Sequence, residues 1–129
     1  MTTLSRGDDG PTATINAHAV KLEVADEPDE IVQGLSGRGS MPAASGMLFI
    51  LPEPIIPSFW MKDMRFPIDF IWISAEQTIV AITPSIGEDS YPITFSPPSA
   101  VKYVLEVNAG VSASLGWLTG DHVELVLDQ

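Results

Sequence analysis

The sequence predicts a mainly β (α+β) domain, a compact small barrel or sandwich of about seven short strands with two short helices. Three observations predict it. Short apolar or alternating runs recur along the chain, separated by clusters of glycine, proline, serine and aspartate. Only two segments carry helix signals. The order of elements lacks the strict strand–helix alternation of a parallel sheet.

The elements follow in order. Residues 1–11 are polar and interrupted by glycine and proline, and predict a flexible tail ahead of a single domain over 12–129. "AVKLEVA" (19–25) alternates, with Val20, Leu22 and Val24 on one side and Lys21 and Glu23 on the other, as in a strand with one wet face. "DEPDEIVQGLSGRG" then changes period. Pro28 within an acidic first turn starts a helix. Ile31, Val32 and Leu35 give it an apolar stripe, and the Gly37–Gly39 region ends it. "GMLFIL" (46–51) is apolar on both faces, as an interior strand is, and "PEPIIP" breaks it.

"SFWM" and "IDFIWIS" predict two strands joined by the turn "KDMR", and "TIVAIT" (78–83) a second hairpin after "AEQ". Residues 84–100 hold four prolines and form the longest irregular stretch, of a length usual for functional loops. "VKYVLEV" (101–107) is a strand with Val101, Tyr103, Leu105 and Val107 on one face. Asn108 can cap a short helix, "AGVSASL", that Gly116 ends. "TGD" turns the chain into a last strand, "HVELVL".

Composition narrows the function classes. Seventeen acidic residues against 6 basic give a net charge of −11. Nucleic acid and anionic membrane surfaces both need a basic footprint, so neither is an expected partner, and the charge favours a monomer. Cysteine is absent. Disulfides, thiolate metal sites and cysteine nucleophiles go with it. The longest uncharged apolar run, "MPAASGMLFILP", is too short to span a bilayer. The N-terminus lacks an apolar leader, so the chain as written reads as cytoplasmic, or as a mature form whose leader has been removed. His18 and His122 stand alone, so no metal site is expected, and no phosphate-cradling loop or nucleophile elbow points to a cofactor or a serine hydrolase.

The residues that could carry chemistry cluster around "FWMKDMRFPIDFIWIS" (59–74). Asp69 lies within an apolar run, where a carboxylate is costly unless it has partners. Lys62, Arg65 and Arg38 are candidate charge partners, and loop N–H groups are the alternative. Asp69 is then either a staple holding a loop to the barrel mouth, or a ligand site or general base. Lys62, Arg65, Arg38 and Lys102 could together make a positive spot in an acidic chain, suited to a carboxylate or phosphate. Trp60, ahead of a turn, could line a cleft mouth. Glu106 and Asp69 could form a carboxylate pair of the kind used in glycoside hydrolysis. Met47, Met61, Met64 and Tyr103 are expected to pack in the core.

"EVADEPDEIVQGLSGR", "GMLFI", "FWMKDMRFPIDFIWI", "KYVLEVNAG" and "GD" together resemble the domain of unknown function 192 family, over residues 20–127. The resemblance implies a compact, mostly β domain, often behind a signal peptide, with no established activity. Matching positions include Gly34, Arg38, Gly46, Trp60, Lys62, Asp69, Glu106 and Asp121. The chain departs from the family at "GLSGR", where Ser36 and Gly37 replace a methionine and bulky residues.

Two functions follow. The first is a non-enzymatic binding or accessory module. Its site would be a mouth formed by Arg38, Trp60, Lys62 and Asp69 under the 84–100 loop. The ligand would be small and anionic or sugar-like, or a peptide end. The second is a small hydrolase with Asp69 or Glu106 as general base and Lys62 or Arg38 steadying an oxyanion.

Overall fold

A computed structural model of the chain describes residues 10–127. Apart from Gly10 and Pro11, the tail expected over 1–11 lies outside the described residues. The elements run β1 (Thr12–Ile15), β2 (His18–Ala25), α1 (Pro28–Gln33), β3 (Ser45–Ile55), β4 (Phe59–Trp60), β5 (Ile68–Ile73), β6 (Ile79–Ile86), β7 (Thr94–Phe95), β8 (Val101–Asn108), α2 (Val111–Ser114) and β9 (Glu124–Val126). The fold is mainly β, as the sequence predicts. Seven strands form one sheet in the order β6-β5-β8-β3-β2-β1-β9, and β4 and β7 form a separate two-stranded ribbon. Among the described residues only β2 and β3 pair in parallel, and α1 belongs to the crossover between them. The sheet curls until its margins meet at one end. Residues just ahead of β9 bond to the start of β6, through Ile79 N–H to Asp121 O and Val123 N–H to Gln77 O.

Alternation along the central strands sets up two cores. On one face, Ile68, Phe70 and Trp72 of β5 pack with Phe49 of β3 and Val104 of β8. On the other, Ile71 and Ile73 pack with Leu48, Leu105 and Val107. Every residue of β5 is buried, because β6 and β8 flank it and both its faces are covered. Pro67 lies just before the strand, where a missing N–H costs no ladder bond. Gly46 of β3 lies against β8 closely enough that a Cβ there would stand 2.9 Å from the Glu106 carbonyl oxygen.

Four local expectations are corrected. The hairpin expected between "SFWM" and "IDFIWIS" does not form. Both edges of β5 are taken, so β4 pairs with β7 instead. The 84–100 stretch is therefore partly ordered, holding the end of β6 and all of β7. Helix α1 stops at Gly34, ahead of Gly37 and Gly39; Gly34 adopts φ 49° and its N–H bonds to Glu30 O at 2.8 Å. A six-residue helix turns only one narrow side to the sheet. Leu35, just past it, is buried, whereas Val32 is 84% exposed. "PEPI" continues β3 to Ile55 beyond an irregular register, and β1 is a strand that the sequence did not signal.

The start of α1 is as expected. Pro28 holds the first position, and the Glu30 carboxylate accepts the N–H groups of Asp26 and Glu27 at 3.2 and 3.1 Å.

Candidate functional site

Asp69 and Glu106 occupy neighbouring strands, β5 and β8, but opposite faces of the sheet. Asp69 stands opposite Val107 and Glu106 opposite Phe70. Adjacent positions on paired strands alternate in direction, so the two carboxyl groups point away from each other. The carboxylate pair expected from the sequence is thereby ruled out.

Asp69 is fully buried. Its Oδ1 accepts the N–H of Ser85 at 2.7 Å and of Gly110 at 3.2 Å. Its Oδ2 accepts the N–H of Ser112 at 3.0 Å and the Ser112 hydroxyl at 2.8 Å. The geometry is local in origin. Opposite Asp69 the β5–β6 register slips, and Ser85 sits in the bulge at φ 53° with its N–H turned inward. Gly110 and Ser112 lie at the start of α2, where backbone N–H groups have no helical partner. One carboxylate thus ties β5 to the end of β6 and to α2. Lys62, Arg65 and Arg38, the expected charge partners, are not among its contacts. With no exposed surface, Asp69 has no face to offer a ligand. Of the two roles that the sequence left open for Asp69, these bonds fit the staple rather than a binding mouth or a base.

The expected cluster of basic residues also does not form. Arg38 makes a two-pronged pair with Glu23, at 2.6 and 2.8 Å. Lys102 donates to the Leu51 and Pro52 carbonyl groups at 2.6 and 3.2 Å. The Lys62 ammonium sits 5.7 Å from the centroid of the Trp60 ring.

Glu106 lies on the face covered by α1 and the β4–β7 ribbon. Its strand neighbours there are Met47 of β3 and Phe70 of β5. It is 5% exposed, and none of the hydrogen bonds among the described residues involves its carboxyl group. Burial pushes that carboxyl up to about 8, so it is mostly the neutral acid at pH 7.

Glu106 lines a cleft of about 330 Å³ between α1 and β4. Leu35, Phe49, Phe59, Met61, Met64 and Ile68 line it, together with the polar Gln33, Ser36 and Ser58. Phe59 anchors β4 over the sheet by edge-on contacts, with ring centroids 5.1 Å from Phe49 and 5.8 Å from Trp72. Trp60 stands at the rim, 50% exposed, and packs against Tyr91 of the 84–100 segment at 5.1 Å. Of the sequence candidates, only Trp60 and Glu106 come together at one cavity. Phe59, Met61 and Met64 lack any sequence signal that separates a cleft wall from a core position. Glu106 does carry one: it alternates with Val104 on an interior strand.

A curled, mainly β domain with an acid at the base of an apolar cleft is the class that fold and site define. The chain belongs to the domain of unknown function 192 family (DUF192, uncharacterized ACR), whose profile matches residues 11–125. Two solved structures share the fold. A proposed transcription regulator from Sinorhizobium meliloti 1021 is 31% identical, with a TM-score of 0.83 over 89% of this chain and 91% of that one. A protein of unknown function from Novosphingobium aromaticivorans DSM 12444 is 24% identical, with a TM-score of 0.84 over 96% of this chain and 99% of that one. No curated protein matches the chain. Among the described residues no helix is long and apolar enough to cross a membrane.

Proposed function

We propose that the protein is a ligand-binding module whose site is the cleft between α1 and β4. The observation that carries this is Glu106: an acid 5% exposed that makes no side-chain hydrogen bond among the described residues and lines a mostly apolar cleft. A buried polar group left unpaired costs stability, and a strand position with two apolar neighbours would accommodate a leucine more cheaply. A ligand that bonds to the carboxyl removes that cost on binding. The volume, about 330 Å³, is at the low end for small-molecule pockets, and mostly apolar walls with a few placed polar groups are their usual make-up.

The ligand class shifts accordingly from the anionic or sugar-like one expected from the sequence. No arginine or lysine lines the cleft, and its walls are mostly apolar. A hydrolase finds less support. General-base chemistry at Glu106 needs a second group to bind a developing charge, and no other acid, histidine or cation lines the cleft.

A thermal-shift panel of small alkyl and aryl compounds tests the proposal. Ser58 is exposed and lines the cleft, so Ser58→Trp serves to fill the mouth without disturbing the core. At least one compound should raise the melting temperature of the native chain, and Ser58→Trp should abolish the shift. A panel with no stabiliser, or shifts that survive in Ser58→Trp, would place the function elsewhere.

A further inference from the structure

Taking the cleft as a ligand site, we propose that it selects compounds that join a short apolar group to an ammonium, with the Glu106 carboxylate as their counter-ion. Glu106 is the one titratable side chain lining the cleft among the described residues. Its own carboxyl has no competing cation. Arg38 is held by Glu23 and Lys102 by two carbonyl groups. An anionic ligand would meet an acid without a positive charge to balance either. An ammonium meets a group that gains a partner when it ionises.

Two further features favour a cation. The chain carries 17 acidic residues against 6 basic, a field that concentrates positive ligands at its surface. Trp60 at the rim presents a ring that already has an ammonium near it, that of Lys62 at 5.7 Å from the centroid. That is the distance range in which an aromatic ring attracts a cation. An incoming ammonium passes this ring on its way to Glu106, while its apolar group settles among Phe59, Met61 and Met64.

Binding is then coupled to a proton. In the empty cleft Glu106 holds its proton up to about pH 8. When the ammonium binds, that proton leaves to the buffer and the ligand keeps its own. The groups facing Glu106 do not compete for this role. Met47 and Phe70 flank it, and Phe59 and Leu35 lie across the cleft. Asp29 and Glu30 of α1 line the adjoining groove with Glu23 and Arg38. Lys62 stays at the rim and Tyr91 lies against Trp60. Affinity for the ammonium should therefore rise about tenfold per pH unit below pH 8, then level off until the ligand loses its own proton.

The test uses the full chain with 13C-methyl methionine and three probes of one length: hexylammonium, hexanamide and hexanoate. Hexylammonium should move the Met61 and Met64 methyl resonances, with its Kd falling about fiftyfold from pH 6 to pH 8. Hexanoate should leave them in place. Glu106→Gln should weaken hexylammonium at pH 8 by at least about tenfold and weaken hexanamide by a smaller factor. The pH profile is read on the unaltered protein, so the result does not hang on that variant folding. Hexanamide binding more tightly than hexylammonium at pH 8 would overturn the ammonium assignment and leave the cleft as a ligand site. So would a flat pH profile for hexylammonium. All three probes leaving both methyl groups unmoved would overturn the assignment and the cleft together.

Discussion

Asp69 and Glu106 are acids on neighbouring strands of one sheet, both buried, and their surroundings could hardly differ more. Asp69 accepts four hydrogen bonds from β6 and the start of α2. Glu106 accepts none among the described residues and faces a cleft. Burial alone therefore does not decide what a carboxylate does. The supply of donors does, and it follows from local backbone. On the Asp69 face, a bulge and a helix start both bring loose N–H groups inward. On the Glu106 face, both strand neighbours use their N–H groups in the ladder, and the covering elements present side chains. A saturated acid ties elements together. An unsaturated one is left to meet something from outside.

The largest expected effect breaks the saturated side. Asp69→Ala leaves three backbone N–H groups and one hydroxyl buried without their acceptor. Stability should fall by about 4–5 kcal/mol in denaturant titrations. Asp69→Asn keeps one oxygen acceptor and turns an amide toward donors, for a loss of about 1–3 kcal/mol. A loss for Asp69→Ala within about 1 kcal/mol would remove the staple.

The unsaturated side should respond to pH, and in the opposite sense from a paired acid. Burial raises Glu106 from 4.5 to about 8 in the folded chain. Between those values the folded protein keeps a proton that the unfolded chain has released. Its contribution to stability therefore falls as pH rises through that window. Glu106→Gln removes this titration. Relative to the native chain, the variant should gain on the order of 2–4 kcal/mol between pH 5 and pH 8. Comparing the two proteins cancels the titration of the other acids. A difference that does not change with pH would mean that Glu106 is solvated in the folded state.

Much of this architecture was legible in the sequence. Alternation placed β2 and β8, and an apolar run placed β5. Pro28 and its acidic neighbours marked the start of α1. What was not legible depends on partners distant in sequence. The sequence showed that Asp69 needed donors, but Ser85, Gly110 and Ser112 become neighbours only once β6 and α2 have packed. Lys62 and Arg65 were nearer in sequence and looked like better partners for that reason. β4 and β7 are two-residue strands, and pairing so short is fixed by where Phe59 lands on the core. The cleft was invisible because its walls use the same residue types as the core. Among the strand positions Glu106 broke that pattern, and its separation from Asp69 was a matter of which face each strand position takes.

A third carboxylate completes the comparison and should have the smallest effect. Glu23 has what neither buried acid has, a full opposite charge, yet both side chains of the Arg38–Glu23 pair are substantially exposed, at 41% and 53%. The Arg38 hydrogen bond holds the Glu23 carboxyl below its ordinary value. The sign is then that of a paired acid. The contribution is fully present above about pH 4.5 and is lost as pH falls through the lowered value. Water and salt screen a pair so exposed, so Arg38→Ala should cost less than about 1 kcal/mol at pH 7, and less again in 1 M salt. Denaturant titrations at low and high salt check this. A cost above about 2 kcal/mol would show that the guanidinium holds the start of β3 to β2 through packing as well as charge. If the small value is found, the order of the three acids follows enclosure rather than charge pairing: largest for the buried acid with four donors, smallest for the solvated one with a cation.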